Sequence, residues 1–150
     1  MIAFVIPGPA KGKGRPRFNR QTGSAYTPAE TASYENLVKT LAMTAMAGAT
    51  PFLGAVQVEL ICHFGMPKST SKKVIAEWHA REVAWPAVRK PDLDNIQKAV
   101  TDGMNGVVYK DDAQIAAIKA IKVLVAPGEP ELVQVMVHEI KKEQKNETEK

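Results

Sequence analysis

Apolar residues recur along the chain with two periods, and the change from one to the other marks the elements. The run Ile2-Ala3-Phe4-Val5-Ile6 is closed by Pro7 and Gly8 and predicts a first strand. The roughly twenty residues that follow have no apolar periodicity and predict a loop. Thr27-Pro28-Ala29-Glu30 then reads as a helix start, with Thr27 as N-cap, Pro28 at the first helical position and Glu30 closing a capping box. Tyr34, Leu37, Val38, Leu41 and Ala45 follow at helical spacing, and Gly48 with Pro51 ends the helix. Residues 54–64 alternate, with Val56, Val58 and Leu60 set against Gln57, Glu59 and Ile61, which predicts a half-buried central strand ending near Phe64-Gly65.

Beyond it, Pro67 to Ser71 predicts a turn with a cap and Lys72 to Val83 a short helix anchored by Trp78 and Trp85. Pro86 and Pro91 bias the intervening chain toward an extended conformation. Ile96, Ala99, Val100 and Met104 form the apolar stripe of another helix that Asn105-Gly106 stops. Residues 114–125 and 131–140 predict two strands joined by Ala126-Pro127-Gly128-Glu129-Pro130 as a hairpin. The order β-α-β-α-α-β-β argues a single α+β domain over residues 1–140, with helices packed on a mixed sheet, and a frayed polar tail over 141–150.

Composition narrows the function classes. A chain of 150 residues can bury a real core without staples, and its lone cysteine, Cys62, excludes a disulfide scaffold and a cysteine-built zinc site. Cys62 lies in an apolar run, as a small buried hydrophobe of a reducing compartment does. The opening apolar run is too short for a signal peptide or a membrane span, so the expected setting is soluble and cytoplasmic, with no membrane partner. His63, His79 and His138 lack zinc spacing, no G-x-S-x-G is present, and Gly12-Lys13-Gly14 lacks the length and ending of a phosphate-binding P-loop, so no nucleotide cofactor is implied.

The net charge of +4 matters less than its distribution. Residues 1–90 carry 12 Lys and Arg against 5 acids, all Glu, whereas residues 91–150 carry 8 Lys against 11 acids. The first loop holds Lys11, Lys13, Arg15, Arg17 and Arg20 with Phe18 and Tyr26, a composition suited to lying along a phosphate backbone and offering a ring to a base. A solvated basic loop is the alternative. All five aspartates of the chain fall between Asp92 and Asp112, and short carboxylates grouped in a basic protein suit a hard divalent cation facing a phosphate.

Within that stretch, an extended run leading into a helix points Asp92 and Asp94 the same way, so that they can share a cation, while Leu93 packs the turn onto the core. Lys98, one helical turn beyond Asp94, returns its ammonium to the same region, and Asp112, ahead of a strand, can complete the set. Mg²⁺ takes octahedral oxygen ligands and keeps several waters, one of which then serves as nucleophile. Bland readings stay open: Asp94 with Gln97 fits a capping box, Asp94 with Lys98 an ordinary i,i+4 pair, and Asp111-Asp112 a turn.

The order of the letters resembles a known family. Lys90-Pro91-Asp92-Leu93-Asp94-Asn95, then Lys98, Asp102-Gly103-Met104-Asn105-Gly106-Val107 and Asp111-Asp112-Ala113-Gln114-Ile115 look like the signature of the RusA family of Holliday-junction resolvases. The opening Ile6-Pro7-Gly8-Pro9, the stretch from Lys11 to Arg17 and Tyr26-Thr27-Pro28 are similar to its phage-type members. The resemblance implies a homodimeric, Mg²⁺-dependent endonuclease, with Mn²⁺ able to substitute, that cuts four-way DNA junctions by paired symmetric nicks. It matches Asp92, Asp94 and Asp112 to the metal-binding carboxylates, Lys98 to the essential lysine and Asp111 to a neighbouring acid. The DNA-binding set expected beside them is Lys11, Lys13, Arg15, Arg17, Arg20 and Lys90. Residues 66–89 are extra relative to the shortest members. The apolar side of the helix from Pro28 to Gly48 is one candidate dimer surface, and core packing is the other use of the same stripe. Two other readings remain: a non-catalytic branched-DNA-binding module, and a nuclease acting on flaps or forks.

Overall fold

A computed structural model describes residues 1–142, so that most of the expected tail over 141–150 lies outside the described residues. Four strands form the main sheet: β1 (Ile2–Pro7), β4 (Val56–Gly65), β5 (Ile115–Val125) and β6 (Leu132–Glu139), in the spatial order β1-β6-β4-β5. The sheet is mixed, with β5 parallel to β4 and β6 antiparallel to both β4 and β1. Three helices complete the α+β domain: α1 (Ala29–Met46), α2 (Lys72–His79) and α3 (Leu93–Met104).

β4 earns its inner position through strict alternation. Val56, Val58, Leu60, Cys62 and Phe64 are all buried, while the residues between them are half-buried. Val133, Val135 and Val137 of β6 and Ile6 of β1 extend that buried face, and Tyr34, Val38 and Ala42 of α1 with Ile96, Ala99, Val100 and Met104 of α3 close it. The helical stripes expected from sequence therefore serve as core, and the stripe of α1 is not a free surface; Leu37, counted in it, faces solvent at 37% exposure. The opposite face of the sheet presents Val5, Ile61, Ile121 and Met136, of which Val5 and Ile121 are exposed.

The predicted hairpin of the last two strands does not form. β5 and β6 are separated by β4, which pairs with each of them. The link supplies the reason: Pro127 and Pro130 have no N–H to give a ladder, and the turn closes instead through Glu129 N–H to the Ala126 carbonyl at 3.1 Å with Gly128 at φ +86°. Such a link crosses the width of one strand, about 10 Å for two inter-strand spacings, and leaves β4, the more completely buried strand, between β5 and β6.

Two further departures bear on the site. The first loop contains a small hairpin, β2 (Arg17–Phe18) and β3 (Ala25–Tyr26), closed by Asn19, whose side chain accepts from the Gln21 N–H at 2.9 Å. α1 begins one residue later than expected, with Pro28 as N-cap and no side-chain cap, so the Thr27 capping box is not made. Between Pro86 and Pro91 the chain is expected to be extended, and residues 85–89 are free of helix and turn, while it bends at Lys90 and Pro91. Residues 85–87 run along the free edge of β5, through Leu124 N–H to Trp85 O and Ala87 N–H to Lys122 O, each at 2.8 Å, and so cover an otherwise open edge. α2 is tied to the end of the same strand by Trp78, whose indole N–H donates to Leu124 O at 2.9 Å.

α1 and α3 approach closely at Gly103, where an added Cβ would lie 2.7 Å from Val38 Cβ and 2.9 Å from the Glu35 carbonyl. Gly103→Ala is expected to lower stability by about 1–3 kcal/mol in urea unfolding, because overpacking a helix contact outweighs the gain in helix propensity of about 1 kcal/mol. Unchanged or higher stability would show that the contact is loose.

Candidate active site

The acidic residues enter on two elements that meet beside the basic loop. Asp92 is the N-cap of α3 and makes no side-chain cap bond; its carboxylate instead accepts from Lys90 Nζ at 2.6 Å. That hydrogen bond and the Lys90 charge hold the Asp92 carboxyl below the usual range. Asp94 lies in the first turn of α3, exposed, so the Asp94–Gln97 capping box does not form. Leu93 packs against the core as expected and fixes the turn. Lys122 Nζ donates to the Arg89 carbonyl and to the Pro91 carbonyl at 3.0 Å, which pins the chain just before α3 to β5.

The adjacent aspartates Asp111 and Asp112 have different fates. Asp111 caps the short 3₁₀ turn Asp112–Gln114: its carboxylate accepts from the Ala113 N–H at 2.8 Å, and the Gln114 side chain reaches back to the Asp111 N–H at 3.1 Å. Gln114 also donates to the Phe52 and Gly54 carbonyls, at 2.8 and 2.9 Å, so the turn is fastened to the segment before β4. Asp112 takes no part in the cap. Its Oδ2 lies 3.7 Å from Lys98 Nζ.

Lys98 pairs forward along the helix rather than back to Asp94. Its Nζ lies 3.1 Å from Asp102 Oδ1, an i,i+4 pair, and so stands between Asp102 and Asp112. Asp102 also binds Lys13, whose ammonium is shared with Glu35 of α1 at 3.1 Å. Lys13 therefore joins the loop to α1 and α3, and its charge is already partnered; among the basic residues expected on DNA it is a clamp. Lys90 likewise is engaged by Asp92.

Lys11, Arg15, Arg17 and Arg20 are exposed, and among the described residues no carboxylate lies within 4.0 Å of any of them. The loop that carries Lys11 and Arg15 is held against α3 by Lys13 N–H to Asn95 O at 3.0 Å, with Gly12 so close that a Cβ would sit 3.0 Å from Pro91 Cβ. On the α1 side, the Gly14 N–H donates to Thr31 Oγ1 at 2.9 Å. Asp102, Glu35 and Thr31 are the participants that sequence reasoning missed. Only Asp102 left a signal, four residues after Lys98 and eight after Asp94 on one helical face.

Among the described residues no three acidic, histidine or cysteine side chains converge at metal-binding distance, and no helix is long and apolar enough to cross a membrane. The arrangement is a row of carboxylates interleaved with the ammonium groups of Lys13, Lys90 and Lys98, beside a basic loop. The chain belongs to the RusA endodeoxyribonuclease family, whose model matches residues 7–138. It is also 30% identical over 141 residues to the uncharacterized protein YqaN of Bacillus subtilis (strain 168), covering 93% of this chain and 96% of that protein. Family membership supports a DNA nuclease and, in general terms, Holliday-junction resolution on branched DNA, in line with the resemblance read from the motifs.

Burial pushes the Asp102 carboxyl up, but hydrogen bonds from Lys13 and Lys98 outweigh it and hold the group below its ordinary value. The Asp102 hydrogen bond raises the Lys13 ammonium against its burial. A depressed carboxyl stabilises the fold above its unfolded pKa, near 4, and loses that contribution as pH falls through the lower folded value; a raised lysine loses its contribution only as pH climbs past its ordinary value, near 10.4. Asp102→Asn is therefore expected to lower stability by about 1–2 kcal/mol between roughly pH 5 and 10, the difference shrinking below about pH 4 and above about pH 10. Denaturation of both proteins across pH checks this, and a difference independent of pH would remove the charge network as its cause.

Proposed function

We propose that the protein is a Mg²⁺-dependent endodeoxyribonuclease that resolves four-way DNA junctions by paired symmetric nicks in recombination and repair. Asp92, Asp94 and Asp112 are the cation ligands in this reading and Lys98 is the group that meets charge developing on the phosphate. The observation that carries it is the unequal use of the adjacent aspartates, Asp111 consumed as a cap while Asp112 is left to face Lys98.

The donor set fits a hard cation in kind: three carboxylates, exposed, and in two cases held only by lysine ammoniums, positive groups that a divalent ion would displace. Mg²⁺, or Mn²⁺ in its place, would be held by Asp92, Asp94 and Asp112 and would supply Lewis-acid polarisation of the scissile phosphate. The chain's own residues do the rest. Asp102 positions Lys98, which neutralises a phosphate oxygen as the phosphorus gains negative charge. The clamp through Lys13 keeps the basic loop over α3, so that the backbone of a bound strand lies beside Asp92 and Asp94. Cytoplasmic placement suits Cys62, buried and unpaired.

A two-fold homodimer would present two such sites to opposed strands of a junction. With the stripe of α1 used as core, the open sheet face of Val5, Ile61, Ile121 and Met136 supports a second copy better.

Asp94→Asn and Asp112→Asn are each expected to bind a labelled four-way junction at least as well as wild type while losing Mg²⁺-dependent nicking by about 100-fold or more. Asp111→Asn, which still caps, is expected to stay within about ten-fold of wild type. Full cleavage by Asp94→Asn at saturating Mg²⁺, or binding without cutting by wild type under every metal, would sink the assignment, and cutting of flaps or forks in preference to junctions would change the substrate. Sedimentation is expected to give a dimer that Ile121→Glu dissociates, with paired nicks becoming single ones; an unchanged dimer would place the contact elsewhere.

A further inference from the structure

An open groove of about 880 Å³ lies beside the acidic site, between the 10–17 loop, the β2–β3 hairpin and the start of α1. Its walls set Lys11, Arg15, Arg17 and the ring of Tyr26 against one acid, Glu30. The three cations have no carboxylate within 4.0 Å among the described residues, so the groove gathers positive charge that the fold itself does not neutralise. Arg17 and Tyr26 are direct cross-strand partners and project from one side of the hairpin, whereas Phe18, paired with Ala25, belongs to the other side. At the third wall, α1 starts without a side-chain cap, leaving the first-turn N–H groups of Ala29, Glu30 and Thr31 available to an acceptor. Pro91, the residue before Asp92, lines the groove at its end nearest the carboxylates.

We propose that this groove holds one unpaired nucleotide of the DNA strand, its phosphate held by Arg15 and Arg17 and its base stacked on Tyr26. The inference rests on the nuclease reading and names how that site meets its substrate. A volume of this size suits one nucleotide, whereas a duplex arm needs a wider and flatter surface. A ring accepts a base face only where that base has left its stack, which a branch point or a strand end provides and a continuous duplex does not. Position supplies the rest: a nucleotide seated against Pro91 delivers the neighbouring phosphodiester to Asp92, and the clamp at Lys13 keeps the two sites in register.

The test uses a four-way junction carrying 2-aminopurine at the branch point, titrated in EDTA so that nothing is cut. Wild type and Tyr26→Phe are expected to quench the probe at least about two-fold more than Tyr26→Leu does, and Tyr26→Leu is expected to bind the junction about ten-fold more weakly while affinity for linear duplex is unchanged. Arg17→Gln should weaken junction binding and reduce its salt dependence. Equal quenching and affinity for wild type and Tyr26→Leu would overturn the proposal, as would loss of duplex affinity in Tyr26→Leu to the same degree, which would mark a general fault in the loop. Mg²⁺-dependent nicking distinguishes the two readings. If Tyr26→Leu nicks junctions with wild-type kinetics the groove assignment falls and the nuclease stands, and if Tyr26-dependent quenching persists in a protein that never nicks, the nuclease falls and the groove stands.

Discussion

The Lys13 ammonium, lodged between Glu35 of α1 and Asp102 of α3, is the interaction on which the functional half of the molecule depends. A loop rich in glycine and arginine has no apolar reason to settle on a helix pair. One partly buried lysine shared by two carboxylates supplies that reason, and the Lys13 backbone N–H adds a second point of attachment at Asn95. The same Asp102 orients Lys98, so one carboxylate fixes both the basic loop and the lysine that faces Asp112. Its two amines keep it ionised despite burial.

Much of this was legible in the sequence because it depends on local rules. Alternation in β4, the stripe of α3, the stop at Asn105-Gly106 and the extended stretch at 85–89 all reflect short-range geometry, and each stands as read. What was misread turned on competition between distant segments. β5 and β6 have the alternating pattern and spacing of a hairpin, yet the more completely buried β4 inserts between them, a competition that the pattern of either strand alone does not decide. Likewise Lys98 has Asp94 and Asp102 at equal spacing on either side, and the neighbouring presence of Lys13 draws Asp102 into the network. The hairpin at 17–26 was hidden because two residue pairs are too few to show a period.

The aspartates show how the same residue type is sorted by backbone. Asp111 precedes a turn whose Ala113 N–H needs an acceptor, so its carboxylate is used up. Asp92 stands at a helix start in the capping position but turns away from the helix toward Lys90. Asp94 and Asp112 are left with no backbone donor among the described hydrogen bonds. A carboxylate exempt from structural duty in a family of nucleases is where chemistry is to be sought, and the sorting follows from backbone donors that spacing alone does not place.

Strand order has a consequence for biosynthesis. Among the described residues β1, residues 2–7, pairs with β6 alone, residues 132–139, and the loop bearing Lys11 to Arg20 springs directly from β1. During translation, at about 5–20 residues per second, the first strand waits for nearly the last described one before the sheet can close. Until then β1, from which the basic loop springs, has no strand partner, although the anchors of the loop at Glu35, Asn95 and Asp102 have already been made. A nascent chain on the ribosome is surrounded by nucleic acid, and the topology defers pairing of the strand at the root of the basic loop until residues 132–139 have emerged.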